Sequence, residues 1–295
     1  MSLTGRPKVS VIVPTYRDWS GLERCLIGLA AQHYPQDRHE VLVVNNAPEE
    51  AAPASMAWPD NARLIVEAAP GSYAARNRGI SEARGEVLAF LDADCVPEPD
   101  WLESAMACME AEGADLLAGH ITLIYQRSRL TPAECFEKAF AFRQADNAAA
   151  GVSVTANLIV RRKVIEAVGA FDDSLMSGGD FEWTRRATMA GFKLVYCPAA
   201  VVRHPARHSL ASLVQKARRV STGSMALHNE TRVFQGARRV LANIRADLRE
   251  LFRRPDMTWR ERWWALLVMA YLKLVKVHQR LTMTSRTHEP RKLPR

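Results

Sequence analysis

Residues 87–95 read VLAFLDADC, an apolar run of five residues followed at once by two carboxylates two positions apart. Gly85 precedes the run and Pro97 follows it, and so short a run between turn residues is typical of a buried parallel strand. In an open α/β sheet the carboxyl end of such a strand lies at the crevice where ligands bind. Asp92 and Asp94 are therefore expected in a ligand site, where Mn²⁺ or Mg²⁺ would offset their mutual repulsion. For this stretch alone, a turn in which the acids only cap the chain is the alternative.

Similar apolar runs alternate with segments of helical spacing along the first two thirds of the chain. Strands are predicted at residues 9–14, 40–45, 63–66, 86–91, 115–125 and 153–160. Helices are predicted at residues 19–32, 72–83, 99–111 and 132–145, and from near Asp180 onward. This alternation predicts an α/β fold built from βαβ units with a parallel sheet. After His204 the pattern is helical and basic to the end of the sequence.

Charge divides the chain into two parts. The whole chain has a formal net charge of +8, with 40 Lys/Arg and 32 Asp/Glu. Residues 1–202 hold 19 basic and 26 acidic side chains, whereas residues 203–295 hold 21 and 6. The basic part is therefore expected to meet an anionic partner, while the acidic part does something else.

Cysteines and the first residues indicate the compartment. The five cysteines are scattered and form no C-x-x-C pair, so neither a disulfide framework nor a zinc site is indicated. Residues 1–8 contain no apolar signal-peptide core. We therefore expect a reducing, cytoplasmic location.

Polar residues follow two of the predicted strands. The sequence PTYR at residues 14–17 places a hydroxyl, an aromatic ring and a guanidinium after the first strand, suited to a ribose, a base and a phosphate. Asn45 and Asn46 end the second strand and offer amide groups to a nucleobase. Each segment alone is equally compatible with an ordinary polar turn.

Two glycine turns precede predicted helices. Gly71 opens a helix whose N-terminus would attract phosphate and which carries Arg76, a bidentate phosphate partner; a surface helix with solvated arginines is the alternative. The sequence GGDFEW at residues 178–183 sets two acids at another helix start beside a tryptophan, an environment suited to a general base. Asp180 as a plain N-cap is the alternative.

Six motifs in this order resemble those of family 2 glycosyltransferases with the GT-A fold. They are VSVIVPTY at 9–16, RNRG at 76–79, DAD at 92–94, ANLIVRR at 156–162, GDFEW-x-x-R at 179–186 and VRH at 202–204. The resemblance covers roughly residues 8–208. It implies a GT-A catalytic domain at 1–208, with a donor half near 8–111, an acceptor half near 112–208 and helices on both faces of the sheet, and a basic helical extension at 209–295.

The resemblance also implies an activity and a set of roles. Members of the family transfer a sugar from a nucleotide donor, here expected to be UDP-linked, to an acceptor hydroxyl with inversion at the anomeric carbon. Asp180 would be the general base, with Glu182 as its rival, and Asp94 and His204 would bind Mn²⁺ or Mg²⁺. Asn157 and Trp183 would lie on the acceptor side. Donor contacts are expected from Pro14, Thr15, Tyr16, Arg17, Asn45, Asn46, Arg76, Asp92 and Ala93.

The sequence departs from the family pattern in three places. Asn45 and Asn46 stand where a carboxylate usually pairs with the base, which weakens the assignment of uracil. Gly179 stands where an acid commonly precedes the catalytic aspartate. The sequence QKARR at 215–219 lacks the tryptophan of the processive synthases, so we expect a non-processive enzyme acting on a glycan or lipid-linked acceptor.

The C-terminal part contains an apolar run at residues 263–277 that is interrupted by Lys273 and Lys276. The run is shorter than the ~20 residues of a membrane-spanning helix. Residues 259–280, with three tryptophans and several basic residues, resemble an interfacial helix on an anionic membrane surface. A helix packed on the catalytic domain or in a homodimer is the alternative, and no nucleic-acid-binding motif accompanies the charge.

The sequence motifs leave three other functions as alternatives. A nucleotidyltransferase acting on a sugar phosphate would need a Gly-rich, Lys-bearing loop after the first strand, and PTYRD at 14–18 is not one. A glycosidase would leave the DAD acids without a role. A membrane-docked binding module with a decayed transferase site is the non-enzymatic alternative.

Overall fold

The computed structural model describes residues 8–228 and 244–286, which form two compact units. The first unit comprises the chain up to Ile124 together with Phe142–Pro205, and the second comprises Tyr125–Ala141 and Ala206 onward. The predicted domain at 1–208 thus includes a segment, 125–141, that packs with the C-terminal helices. The parts of the predicted extension at 229–243 and 287–295 lie outside the described residues.

The first unit is built on an eight-stranded sheet. Its strands are β1 (Val9–Thr15), β2 (His39–Asn45), β3 (Ala62–Val66), β4 (Val87–Leu91), β5 (Val96–Pro97), β6 (Leu116–Ile124), β7 (Asn157–Arg161) and β8 (Leu194–Pro205). Their order in the sheet is β3-β2-β1-β4-β7-β6-β8-β5. Its helices are α1 (Trp19–Ala30), α2 (Ser72–Glu82), α3 (Trp101–Ala111), α5 (Gln144–Ala149), α6 (Arg162–Val168) and α7 (Gly179–Met189), while α4 (Pro132–Phe140) belongs to the second unit.

The sheet is mixed, which corrects the expectation of a parallel sheet. Strands β1 to β4 are mutually parallel, but β7 is antiparallel to both of its neighbours, β4 and β6. The predicted strand at 153–160 is also displaced to Asn157–Arg161, because Ser153 and Val154 are hydrogen-bonded to the Gln144 side chain. Alternating apolar runs indicate strands but not their direction, which depends on the connections between them.

Alternate residues of each strand face the two sides of the sheet. In β1, Val11 and Val13 join one apolar cluster with helices α1 and α3, and Ile12 joins another with α2, α6 and α7. Both clusters are buried, which confirms the prediction of helices on both faces. Strands β1, β2 and β4 are buried on both sides, and because they are mutually parallel their carboxyl ends lie at one edge of the sheet.

The second unit is helical in its described residues. It contains α4, α8 (Leu210–His228), α9 (Ile244–Arg253) and α10 (Trp259–Arg286). The predicted helix at 132–145 ends at Phe140, because Phe142 has a left-handed backbone with φ of 48°. Small apolar clusters hold α10 against α4 and α8, through residues such as Ala265 and Leu272. In the described part of the chain, none of the helices combines the length and apolar character needed to span a bilayer.

Candidate active site

Strands β1, β2 and β4 end side by side at the candidate site. Thr15 pairs in register with Asn45, and Asp92 follows β4 directly. The Thr15 side chain is only 2% exposed, and its Oγ1 has no hydrogen-bond partner in the described residues. Since buried polar atoms are normally hydrogen-bonded, this hydroxyl is an exception at the end of β1.

Helix α2 delivers a buried arginine to the end of β4. Arg76 is 4% exposed, and its Nη2 donates to Asp92 Oδ1 at 2.6 Å. Its Nη1 donates to the Ser72 carbonyl oxygen at 3.2 Å, while Nε is buried without a partner among the described residues. The guanidinium therefore holds Asp92 in place and keeps one donor uncommitted.

Asp94 and His204 face each other in a way that fits a cation. His204 is buried, and its Nδ1 lies 2.8 Å from the Pro205 carbonyl oxygen, which can only accept, so Nδ1 carries the proton. In the neutral imidazole, Nε2 then presents a lone pair toward Asp94 Oδ2 at 3.4 Å. Two acceptors at this distance repel unless a proton or a metal ion lies between them. A carbonyl that fixes the tautomer is the usual support of a metal-binding histidine.

Cys95 also lies close enough to these two residues to complete a metal-binding group, with all three ligand atoms within 4.8 Å of one another. Its thiol donates to the Ala156 carbonyl oxygen, and burial raises the pKa of Cys95 well above its ordinary value. Only the thiolate is a good metal ligand. The carboxylate and the imidazole are therefore the ligands that fit Mn²⁺ or Mg²⁺.

Asp180 lies in the first turn of α7, against Tyr73 of α2. Its Oδ1 accepts from the Tyr73 hydroxyl at 3.4 Å and from the Phe181 amide at 2.9 Å. Burial raises the pKa of Asp180, and the Phe181 amide and the charge of Arg76 oppose that rise. A carboxylate with a raised pKa beside a ligand crevice is suited to accept a proton.

These contacts join into one chain across the site. Asp180 contacts Tyr73, the Arg76 guanidinium lies 5.7 Å from the centre of the Tyr73 ring, and Arg76 binds Asp92. Two residues further along, Asp94 faces His204. The candidate base and the candidate metal ligands thus belong to one constellation.

Glu182 has a different environment. It forms a two-point ion pair with Arg186, with distances of 2.9 and 3.2 Å, and Arg186 also donates to the carbonyl oxygens of Val168 and Ala170. The side chain therefore helps to anchor α7 to the end of α6 and is already bound to a cation.

The two asparagines at the end of β2 hold loops in place. Asn45 donates to the Glu50 carbonyl oxygen and accepts from the Ala47 amide. Asn46 donates to the carbonyl oxygens of Glu67 and Ala69 and accepts from the Gly71 amide, so it fixes the entrance to α2. The structure gives both side chains backbone partners, whereas the sequence indicated direct contacts with a nucleobase.

The rest of the predicted donor segment lies at the surface. Tyr16 is 61% exposed and lies under the guanidinium of Arg17, which is bound to Glu49 and Glu50. Hydrogen bonding to Glu49 raises the pKa of Arg17. Pro14 is half-buried, at the end of β1.

Three predicted site residues are core residues. Asn157 is fully buried, accepts from Trp101 Nε1 and donates to the carbonyl oxygens of His120 and Ala200. Trp183 is also fully buried and Ala93 nearly so. The side chains of Asn157 and Trp183 are enclosed by protein, and their acceptor-side role stays a prediction.

Two aromatic residues at this site were not predicted from the sequence. Tyr73 contacts Asp180, and the Phe142 ring lies 4.5 Å from that of His204. The spacing of Tyr73 and Arg76, three positions apart on a helix, was the available signal, because such residues share a face. No comparable signal marks Phe142, which depends on the break after α4.

Comparison with known proteins gives the family. The profile described as glycosyl transferase family 2 matches residues 10–169. Glycosyltransferase AglE of Haloferax volcanii is 38% identical over 225 residues, which are 74% of this chain and 73% of that protein. A pre-mycofactocin glycosyltransferase of Mycobacterium tuberculosis is 28% identical over 217 residues, covering 70% of this chain but only 45% of the relative.

The fold matches that of solved GT-A enzymes. The mannosyltransferase PcManGT from Pyrobaculum calidifontis, solved in complex with GDP-Man and Mn²⁺, superposes with a TM-score of 0.61 at 20% identity, covering 97% of this chain and 89% of that one. Fold and sequence together define the class as a glycosyltransferase with the GT-A fold. The chain belongs to glycosyltransferase family 2, and it is a transferase enzyme.

Proposed function

We propose that this enzyme transfers a sugar from a nucleotide-diphosphate sugar to an acceptor hydroxyl with inversion at the anomeric carbon, one sugar per encounter. The observation that carries the proposal is the set of contacts that joins Asp180 through Tyr73 and Arg76 to Asp92, two residues before the Asp94 that faces His204. This arrangement supports the proposal, because a carboxylate with a raised pKa and a pair of side chains that fits a cation belong to the same unit.

In the proposed reaction the acceptor oxygen forms a bond to the anomeric carbon while the bond from that carbon to the diphosphate oxygen breaks. Asp180 takes the proton of the acceptor hydroxyl, and the electron pair of the broken bond leaves with the diphosphate. Asp94 and His204 would hold Mn²⁺ or Mg²⁺, which when bound neutralises the charge of the departing diphosphate. Arg76 fixes Asp92, which would face the ribose, and Thr15 Oγ1 supplies an uncommitted hydroxyl.

The donor is proposed to be a UDP-sugar, with a GDP-sugar as the second candidate. The asparagines at the end of β2 bind loops, so the sequence signal for uracil is weak here. The similarity to a mannosyltransferase solved with GDP-Man supports the second candidate. The acceptor is proposed to be a glycan or a lipid-linked glycan.

Thermal unfolding with a panel of donors tests the proposed function. We expect UDP-glucose, UDP-N-acetylglucosamine or GDP-mannose to raise the melting temperature in the presence of MnCl₂, because a ligand at 100 times its Kd stabilises the folded state by about 2.7 kcal/mol. The shift should vanish with EDTA. If no donor shifts the melting temperature with Mn²⁺ present, a decayed binding module is favoured. If nucleoside triphosphates and sugar phosphates shift it instead, a nucleotidyltransferase is favoured.

We further infer that α10 lies on an anionic membrane surface. Its exposed apolar residues, Trp263, Leu267, Tyr271 and Leu274, recur at helical spacing on one face, and Leu274 is 68% exposed. The opposite face, with Ala265, Val268 and Leu272, packs on α4 and α8.

Charge favours a lipid surface over a neutral partner, although fewer lysines contribute than the sequence indicated. Lys273 is bound to Asp247 at 2.9 Å, and burial lowers the pKa of Lys276. Arg253 and Arg260 are exposed in the same unit. Exposed basic residues near anionic lipid contribute roughly 1 kcal/mol each, and the tryptophan and leucines add an apolar component.

Vesicle flotation with a matched pair of variants tests this inference. The parent should float with anionic but not zwitterionic vesicles, and high salt should release part of it. Leu267→Glu/Leu274→Glu should abolish flotation, whereas Ile27→Glu/Met189→Glu, with the same charge change at exposed apolar sites of the first unit, should not. If the parent does not bind anionic vesicles, the membrane inference is wrong. If it is instead a dimer that the α10 variant dissociates, this face is a contact between two copies of the chain.

A further inference from the structure

Tyr73 occupies a central position beside the proposed base. Its ring is buried and stacks on Phe171, with centroids 5.8 Å apart, and the Arg76 guanidinium lies over it. Its hydroxyl accepts from the Asp180 amide at 3.2 Å and donates to Asp180 Oδ1 at 3.4 Å. The same hydroxyl therefore contacts both the backbone and the carboxylate of one residue.

Gly179 makes this contact possible. A Cβ built on Gly179 would lie 2.8 Å from Tyr73 Cε2 and 2.9 Å from Cζ. Gly179 is not among the glycines with positive φ, so its backbone is accessible to other residues. The requirement for glycine is therefore steric and is set by the tyrosine ring. This accounts for the departure from the family pattern, in which an acid commonly occupies the position before the catalytic aspartate.

The hydrogen bonds divide the two oxygens of Asp180. Oδ1 accepts from both Tyr73 and Phe181, and among the described residues no donor is bound to Oδ2. A carboxylate held by one oxygen has its other oxygen oriented for proton transfer. Hydrogen bonds at such sites are commonly long without substrate and tighten when it binds.

We propose that Tyr73 is a positioning residue that holds the Asp180 carboxylate by Oδ1 and directs Oδ2 to the acceptor hydroxyl, with Gly179 as its necessary companion. This inference rests on the proposed role of Asp180 as the base. Helix α2 then carries both Arg76, which holds Asp92, and Tyr73, which holds the Asp180 carboxylate.

The groups around Asp180 set the acidic limb of the pH profile. The groups facing Asp180 are Tyr73 and Arg76 on α2, Asp92 after β4 and the Phe181 amide of its own helix. Tyr73 donates to the ionised carboxylate and so stabilises the charged form, which lowers the pKa of Asp180, whereas Asp92 raises it. Because activity needs the ionised base, the rate falls as pH drops below that pKa. Removing the hydroxyl should shift this acidic limb to higher pH.

Tyr73→Phe is the direct test, with release of nucleoside diphosphate from UDP-glucose or GDP-mannose as the assay. We expect kcat to fall about 10- to 100-fold, the range for a lost hydrogen bond to a charged group, with donor affinity unchanged and the acidic limb at higher pH. Tyr196→Phe, which removes a hydroxyl bound to His120, is the matched control and should leave both unchanged. A pH titration followed by carboxyl ¹³C NMR measures the pKa of Asp180 in both proteins without any reaction, and Asp180→Asn assigns the resonance. A Tyr73→Phe protein with parental kcat, or with an unmoved Asp180 titration, overturns the positioning role.

A double-mutant cycle tests the companion role of Gly179. Gly179→Ala should lower kcat because its methyl group displaces the tyrosine ring, whereas in a Tyr73→Ala background it should have little further effect. Equal effects of Gly179→Ala in both backgrounds would contradict the steric link. Failure of this proposal can be distinguished from failure of the proposed function. Full activity of Asp180→Asn would contradict the role of Asp180 as the base. A loss of activity in Asp180→Asn without a loss in Tyr73→Phe would contradict only the positioning role of Tyr73.

Discussion

Asp94→Ala is expected to abolish Mn²⁺-dependent binding of nucleoside diphosphate while the protein stays folded. The carboxylate faces the Nε2 lone pair of His204 at 3.4 Å, and its side chain is a third exposed, so its removal leaves no large cavity. Replacing a residue that only supports a metal ligand lowers metal affinity 10- to 100-fold. Replacing a ligand itself should therefore lower it by more than about 100-fold. Calorimetric titration of UDP and GDP with MnCl₂ measures this.

The matched control is Asp146→Ala, which removes an exposed carboxylate bound to Arg143 in the same unit. It should bind nucleotide and Mn²⁺ as the parent does. Unchanged affinity in Asp94→Ala would remove the metal assignment, and equal losses in both variants would indicate a general effect of charge on the crevice.

Asp180→Asn should bind donor normally and lose transfer by ~10²–10⁴-fold, the contribution of general-base catalysis. Asparagine preserves the size of the side chain and can still accept from Phe181 and Tyr73, but it cannot take a proton. Donor binding is read by calorimetry and turnover by release of nucleoside diphosphate. In the parent the acidic limb should lie above the ordinary range of an aspartate, because burial raises the pKa of Asp180.

Glu182→Gln is the comparison that separates the two candidate bases. Two positions apart on a helix, the side chains point about 200° apart, so only one can face the acceptor. Since Glu182 is bound to Arg186, its replacement should lower stability modestly and leave the chemical step unaltered. A large loss in Glu182→Gln with an active Asp180→Asn would reverse the assignment.

Much of the donor side of the fold could be predicted from the sequence. The apolar runs ending at Thr15, Asn45 and Leu91 are buried on both faces, so their composition alone indicated strands, and their shared direction placed Asp92 at the crevice. The antiparallel course of β7 could not be predicted, because pairing direction depends on contacts distant in sequence.

The roles of individual polar residues were harder to predict. Asn157 occurs in a matching motif, whereas Asn46 stands where the sequence departs from the family pattern. Asn46 binds the loop before α2, and Asn157 bridges Trp101 and two carbonyl groups in the core. A motif gives the position of an amide along the chain and not the direction of its side chain. The close approach of Tyr73 to Gly179, which lies more than a hundred residues away, could not be predicted from the sequence.

The central claim is that Asp94 and His204 bind the cation that accompanies the donor nucleotide. The most direct measurement is the anomalous scattering of Mn²⁺ in crystals grown with MnCl₂ and UDP or GDP. The account predicts a peak between the Asp94 carboxylate and His204 Nε2, the two groups that would hold the ion. His33, Asp100 and Glu103 form another group with ligand atoms within 4.8 Å, at the surface. A nucleotide-linked Mn²⁺ peak at that group, with none at Asp94, would contradict the account.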